Sequence, residues 1–173
     1  GERDDARRLA MRGVLGTAIV RVGKVVAGGT GLTGKMAKRA GIDVCSAYVI
    51  GPNHAGYYPD AKLMLLKLLY APASGRLLGA QAVGQDGVDK RLDVLATAIQ
   101  GEMTVEDLEH LVLCYAPPFG SAKDVAVMAG FVAANAWRGT SPGASPLTVF
   151  DEMSGERPPL LVDVRTRREF DEG

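Results

Sequence analysis

Residues 16–83 return again and again to short β-branched runs, and no link between them carries a helix long enough for the crossover of a dozen or more residues that parallel strands need. From Val88 onward the apolar period changes. Val88, Leu92, Leu95, Ala96 and Ile99 fall at i, i+4, i+7, i+8 and i+11, the stripe of an amphipathic helix stopped by Gly101. Strands first and helices afterwards predict an α+β fold, an antiparallel sheet with a helical layer.

The strands are expected over 16–22, 25–27, 43–50, 62–70 and 76–83. The first two make a hairpin through Gly23-Lys24, and the last two turn at Pro72-Ala73-Ser74-Gly75. Residues 62–70 are apolar on both faces, as a central strand covered on both sides requires. A two-turn helix over 35–40 is capped by Thr33 and stopped by Gly41. Thr104 caps a short acidic helix through Leu108, and Val125, Met128, Val132 and Ala136 mark the expected inner face of a last helix ending before Gly139. The charged residues 1–12 suggest a helical tail. Residues 140–146, Thr-Ser-Pro-Gly-Ala-Ser-Pro, read as a linker, and Leu160-Leu161-Val162-Asp163-Val164 beyond it as a buried strand.

Charge and cysteine content narrow the function classes. Lys and Arg number 20 against 20 Asp and Glu, which removes the electrostatic attraction that draws proteins to nucleic acid or anionic membrane. The most apolar stretch, 63–69, is broken by Lys67 and is far short of the roughly 20 residues of a membrane span. The 2 cysteines, Cys45 and Cys114, have neither CxxC nor His-ligand spacing, so no metal is expected and each reads as a buried, inert thiol. With no signal-type segment near Gly1, the chain is expected to be a cytoplasmic piece of something longer.

Gly29-Thr30-Gly31-Leu32-Thr33-Gly34 is a literal GxGxxG, yet the helix behind it is too short for a dinucleotide-binding unit and the ribose-binding acid is missing; the glycines read as turn residues. Asn53-His54-Ala55-Gly56-Tyr57-Tyr58-Pro59 is a polar, aromatic loop between strands, where functional side chains concentrate. In Cys114-Tyr115-Ala116-Pro117-Pro118-Phe119 two prolines stiffen the backbone and can aim a phenol, a competent hydrogen-bond donor to a developing thiolate. Lys90, Arg91 and Asp93 read as a solvated or interface face, and His110 as surface.

Taken in order, Thr30-Gly31-Leu32-Thr33, the 53–59 loop, Gly87-Val88-Asp89-Lys90-Arg91-Leu92-Asp93-Val94, and Tyr115-Ala116-Pro117-Pro118-Phe119 running into Ser121-Ala122-Lys123-Asp124 resemble the C-terminal dimerisation domain of pyridine nucleotide-disulfide oxidoreductases, in the branch of CoA-disulfide reductases, persulfide reductases and NADH oxidases. Leu160-Leu161-Val162-Asp163-Val164-Arg165 with Glu169-Phe170 resembles the opening of a rhodanese domain. The resemblances imply a tail of the preceding flavin domain over 1–13, the dimerisation domain over 14–139, a linker over 140–146 and a truncated rhodanese-like start over 147–173.

They imply a homodimer whose FAD, NAD(P)H and redox cysteine are held by N-terminal portions of the parent enzyme, so that this piece alone is inactive and binds no cofactor. Tyr115 and one of Tyr57 or Tyr58 are expected to reach the partner subunit's active site, while His54, Asn53 and Lys123 are expected to bind the substrate, a small disulfide or persulfide such as CoA disulfide. The classical reductases' His-Glu pair is replaced here by Tyr115, which favours the single-cysteine branch. No cysteine follows Cys114, so no sulfurtransferase activity is expected in the rhodanese-like piece. Two further readings remain: the same domain of an NADH oxidase or peroxidase, and a purely structural homodimerisation module.

Overall fold

The computed structural model describes residues 13–172; the expected helical tail over 1–12 lies outside them. It divides into two compact units, one ending at Pro142 and the other beginning at Gly143. In the first, β1 (Ala18–Val22), β2 (Val25–Gly31), β3 (Cys45–Pro52), β4 (Leu63–Tyr70) and β5 (Leu77–Gly84) form one sheet in the order β1-β2-β5-β4-β3. Every neighbouring pair is antiparallel. The helices are α1 (Gly34–Ala40), α2 (Val88–Gln100), α3 (Val105–Glu109) and α4 (Val125–Trp137). This is the expected α+β architecture.

Local chemistry explains the boundaries. Thr33 accepts a hydrogen bond from Met36 N at 3.2 Å at the start of α1, and Gly41 ends it in the left-handed region at φ 67°. Thr104 and Asp107 form a reciprocal capping box on α3. The stripe of α2 packs on one face of the sheet: Leu92 and Leu95 join Met64, Leu66, Leu68, Ala80 and Ala82 in a single core with Val125, Ala126 and Ala129 of α4.

Several expectations are corrected. β4 is internal, but it is not covered on both sides along its length; Leu63 and Leu65 are exposed while Met64 and Leu66 are buried, and the face of Leu63 and Leu65 is covered only towards Leu69, where α1 begins beside Lys67. Leu65 stands beside the exposed Ile50 and Val83 in register, so the uncovered face carries an apolar row. Gly29 and Gly31 are not turn residues. Both lie in β2, where a Cβ on Gly29 would come 3.1 Å from Ala80 O and one on Gly31 would strike Leu78 O. The inner face of α4 is Ala126, Ala129, Gly130, Ala133 and Ala134 with Val125, whereas Val132 is exposed. Small residues win this face because the backbones approach closely: a Cβ on Gly130 would meet Leu108 Cβ at 2.6 Å, and one on Gly51 would collide with Val125 Cγ2.

The second unit contains α5 (Pro146–Met153), capped by Ser145, and α6 (Arg167–Asp171), capped by a Thr166–Glu169 box. The strand expected over 160–164 does not form. Leu160 is 87% and Val164 92% exposed. An apolar run becomes a strand only where a neighbour supplies the ladder's hydrogen bonds, and none of this unit's elements is a strand.

Candidate functional site

Two irregular loops, distant in sequence, meet at one end of the sheet. The first leaves β3 after Pro52, and Asn53 closes it: its Nδ2 donates to Asp86 Oδ2 at 2.7 Å and its Oδ1 accepts from Lys62 N at 2.8 Å. Tyr58 N donates to Ala55 O at 2.9 Å, making a tight turn that lifts Tyr57 outward. His54 is buried; its Nδ1 donates to Ala55 O at 3.2 Å and its ring meets Tyr58 edge to face at 5.7 Å.

The second loop runs from Leu111 to the start of α4. Phe119 N and Gly120 N both donate to Ala116 O, closing a turn around Pro117-Pro118. Ala55 N donates to Pro117 O at 3.3 Å, which joins the two loops through backbone. The hydroxyls of Tyr57 and Tyr115 then stand 3.4 Å apart. Both are open to solvent, at 78% and 52% exposure. At that separation the hydrogen bond is long and weak, so it does not hold the loops together; it is a consequence of how they are held. The bond to Tyr115, followed by partial desolvation, raises the Tyr57 pKa above the ordinary tyrosine value. Tyr57 is therefore a protonated donor at neutral pH.

The other candidate residues are distributed differently. Asn53 is buried with both ends of its amide engaged, and the exposed Lys123 lies 4.5 Å over the ring of Phe131 on α4. Tyr58 is paired with His54 and not with Tyr115. Cys114, expected to be buried, is exposed, because no element covers the irregular segment before Tyr115; Cys45 is half-buried on the edge strand β3. His110 is exposed as expected. Among the described residues no cluster of three or more His, Cys, Asp or Glu could hold a metal, and no helix is long and apolar enough to cross a membrane. An apolar groove of about 360 Å³ runs beside the second loop, lined by Val94, Ala98, Met103, Leu111 and Leu113. A larger cavity of about 790 Å³, between Leu15 and the Arg76–Glu102 pair, includes none of the candidate residues.

The model of the pyridine nucleotide-disulphide oxidoreductase dimerisation domain matches residues 17–127. The chain belongs to this family. It is 34% identical over 127 residues to the coenzyme A disulfide reductase of Staphylococcus haemolyticus, covering 73% of this chain and 28% of that protein. Among solved structures, reduced CoADR-RHD of Bacillus anthracis is 42% identical with a TM-score of 0.84, covering 92% of this chain and 28% of that one. A NAD-dependent persulfide reductase from A. fulgidus is 43% identical with a TM-score of 0.72, covering 73% of this chain and 24% of that one. The chain thus spans about a quarter of the length of these enzymes.

Within this dimerisation domain, sequence reasoning also misplaced Arg91. It is not on a solvated face; it is 2% exposed and paired with Asp124, itself 5% exposed, at 2.6 Å. The signal was present in the α2 stripe, since Val88, Arg91, Leu92 and Leu95 are spaced i, i+3, i+4 and i+7 and put Arg91 on the apolar side. The neighbouring Lys90 donates to Phe119 O at 3.1 Å in the second loop.

The family's cofactors are FAD and NAD(P)H, and the one segment here with a dinucleotide-like pattern does not fit them. Gly29 and Gly31 are strand residues hemmed in by β5, and α1 has 7 residues where a nucleotide-binding crossover needs a longer helix.

Proposed function

We propose that this chain is the dimerisation domain of a flavin-dependent NAD(P)H:disulfide oxidoreductase acting on CoA disulfide or a persulfide, and that it lends Tyr115 and Tyr57 to the active site of a second copy. The observation that carries this reading is the exposed pair of phenols at 3.4 Å. Two phenol donors side by side suit a sulfur that gains negative charge as a disulfide is cleaved. The redox cysteine is assigned to the remainder of the longer enzyme, whose site the exposed tyrosine pair would complete. Flavin and nicotinamide are assigned to the remainder of the longer enzyme.

Tyr57 is preferred to Tyr58 because Tyr58 packs on the buried His54. Asn53 and His54 support the substrate loop from beneath, and the exposed Lys123, which follows the second loop, is assigned to an anionic group of the substrate. The homodimer is assigned to the apolar groove on α2, whose lining residues Leu111 and Leu113 flank the 97% exposed Val112 just before Tyr115. Two free thiols fit a reducing cytoplasm. Residues 147–173 are proposed as the opening of a rhodanese-like domain, whose remaining strands would give 160–164 the ladder it lacks here.

The test uses the full-length enzyme under anaerobic conditions. Tyr115→Phe should lower NAD(P)H consumption with CoA disulfide or persulfide while flavin content and dimerisation stay unchanged. Wild-type turnover in the variant, or NAD(P)H consumption that requires oxygen, would overturn the reading.

A further inference from the structure

Resting on the tyrosine reading above, we infer that Arg91 is the positioning residue that sets the distance between Tyr57 and Tyr115, by binding the root of each tyrosine loop with one guanidinium. Arg91 Nη2 donates to Asn53 O at 2.6 Å, at the point where the first loop leaves β3. The same Nη2 donates to Asp124 Oδ2 at 2.6 Å, and Nε donates to Asp124 Oδ1 at 3.2 Å, where the second loop enters α4. Nη1 donates to Gly87 O at 3.3 Å, so the side chain is anchored on its own helix as well. Asp124 is fixed in turn, its Oδ1 accepting from Ala126 N at 3.0 Å as the N-cap of α4.

The remaining links between the loops are poorer. They are the 3.3 Å backbone bond from Ala55 to Pro117 and the 3.4 Å phenol contact; the exposed bond from Lys90 to Phe119 ties only the second loop to α2. A buried ion pair is stable only when each partner's hydrogen-bonding capacity is met, so the Arg91 node admits few alternative geometries. The planar fork matters: Nη2 spans Asn53 O and Asp124 Oδ2 while Nε and Nη1 fix Asp124 Oδ1 and Gly87 O, and the single nitrogen of a lysine loses the last two contacts and with them the fixed orientation.

The experiment compares the wild-type chain with Arg91→Met/Asp124→Ser, which removes both charges while leaving a hydroxyl to cap α4. Tyrosine labelled with ¹³C at Cζ reports the titration of Tyr57, which lies above the ordinary tyrosine value while Tyr115 stands beside it. The folded double variant is expected to return Tyr57 to the ordinary value, and in the full-length enzyme to lower kcat for CoA disulfide about tenfold or more. An unchanged Tyr57 titration in the folded variant overturns the inference. A relaxed titration with unchanged turnover supports the positioning role and overturns the catalytic reading of the tyrosines. If the double variant does not fold, Arg91→Lys, which keeps a charge opposite Asp124, is read in the same way.

Discussion

The two ends of α4 are each fastened by an arginine and carboxylates, and the two fastenings behave as different materials. At the N-terminal end Arg91 and Asp124 are sealed from solvent and tie three backbone segments together. At the C-terminal end Arg138 reaches Glu106 at 2.9 Å and Glu109 at 2.7 Å, joining α4 to α3; Arg138 and Glu106 are open to solvent, while the Glu109 side chain is covered. Both are short, well-formed bridges. They differ in what is left behind when one partner is removed: an uncompensated buried charge at the first, and at the second a Glu109 carboxylate covered by an arginine that is itself open to solvent, so that truncating Arg138 lets water reach it. The candidate site stands at the rigid end.

Arg91→Met should cost the most, about 3–5 kcal/mol, because Asp124 is stranded without its partner; urea denaturation of the chain measures it. Gly130→Val tests the contact of α4 with α3, at mid-helix, through packing instead of charge. Its Cβ would lie 2.9 Å from the Leu108 backbone, and a loss of about 1–3 kcal/mol is expected in the same assay, with the Tyr57 titration unmoved. Gly87→Ala sharpens the first region: at φ 71° with Arg91 Nη1 at 2.6 Å from the new Cβ, it should cost about 1–2 kcal/mol and disturb the tyrosines as well.

The smallest effect belongs to Arg138→Ala, whose stability loss should fade in high salt while that of Arg91→Met persists. It also has a defined pH dependence. The hydrogen bonds from Arg138 hold the Glu109 carboxyl below its ordinary value of 4.5, against the opposing effect of burial. A depressed folded-state pKa stabilises above the unfolded value and loses that contribution as pH falls through the folded one. The gap between wild type and Arg138→Ala should therefore be full at pH 7, begin to close below about pH 4.5 and disappear in stronger acid. A gap that widened on acidification would contradict the assignment.

What the sequence made legible was whatever depends on neighbours along the chain. The caps Thr33 and Thr104, the stop at Gly41 and the α2 stripe rest on contacts within a few residues, and they form as expected. The corrections concern contacts across the fold. Whether α4 buries Val132 or Ala133 is decided by how closely Leu108 and Gly51 approach, and no helical periodicity contains that distance. Leu63 to Leu69 and Leu160 to Val164 look alike as strings, but only the first has strands on either side. The approach of Tyr57 to Tyr115 spans 58 residues; the resemblance pointed to both residues, and the geometry between them came only with the fold. Arg91 was legible in principle, as a charge on an apolar stripe.

The most direct measurement of the central claim is turnover by a mixed dimer of the full-length enzyme. One subunit carries Tyr57→Phe and Tyr115→Phe; the other keeps its tyrosines but has its redox cysteine replaced. If the tyrosines act across the interface, one complete site forms, and CoA disulfide turnover should reach about half that of wild type per dimer. If each subunit uses its own tyrosines, both sites are broken. Turnover no higher than that of the two parent homodimers would contradict the account.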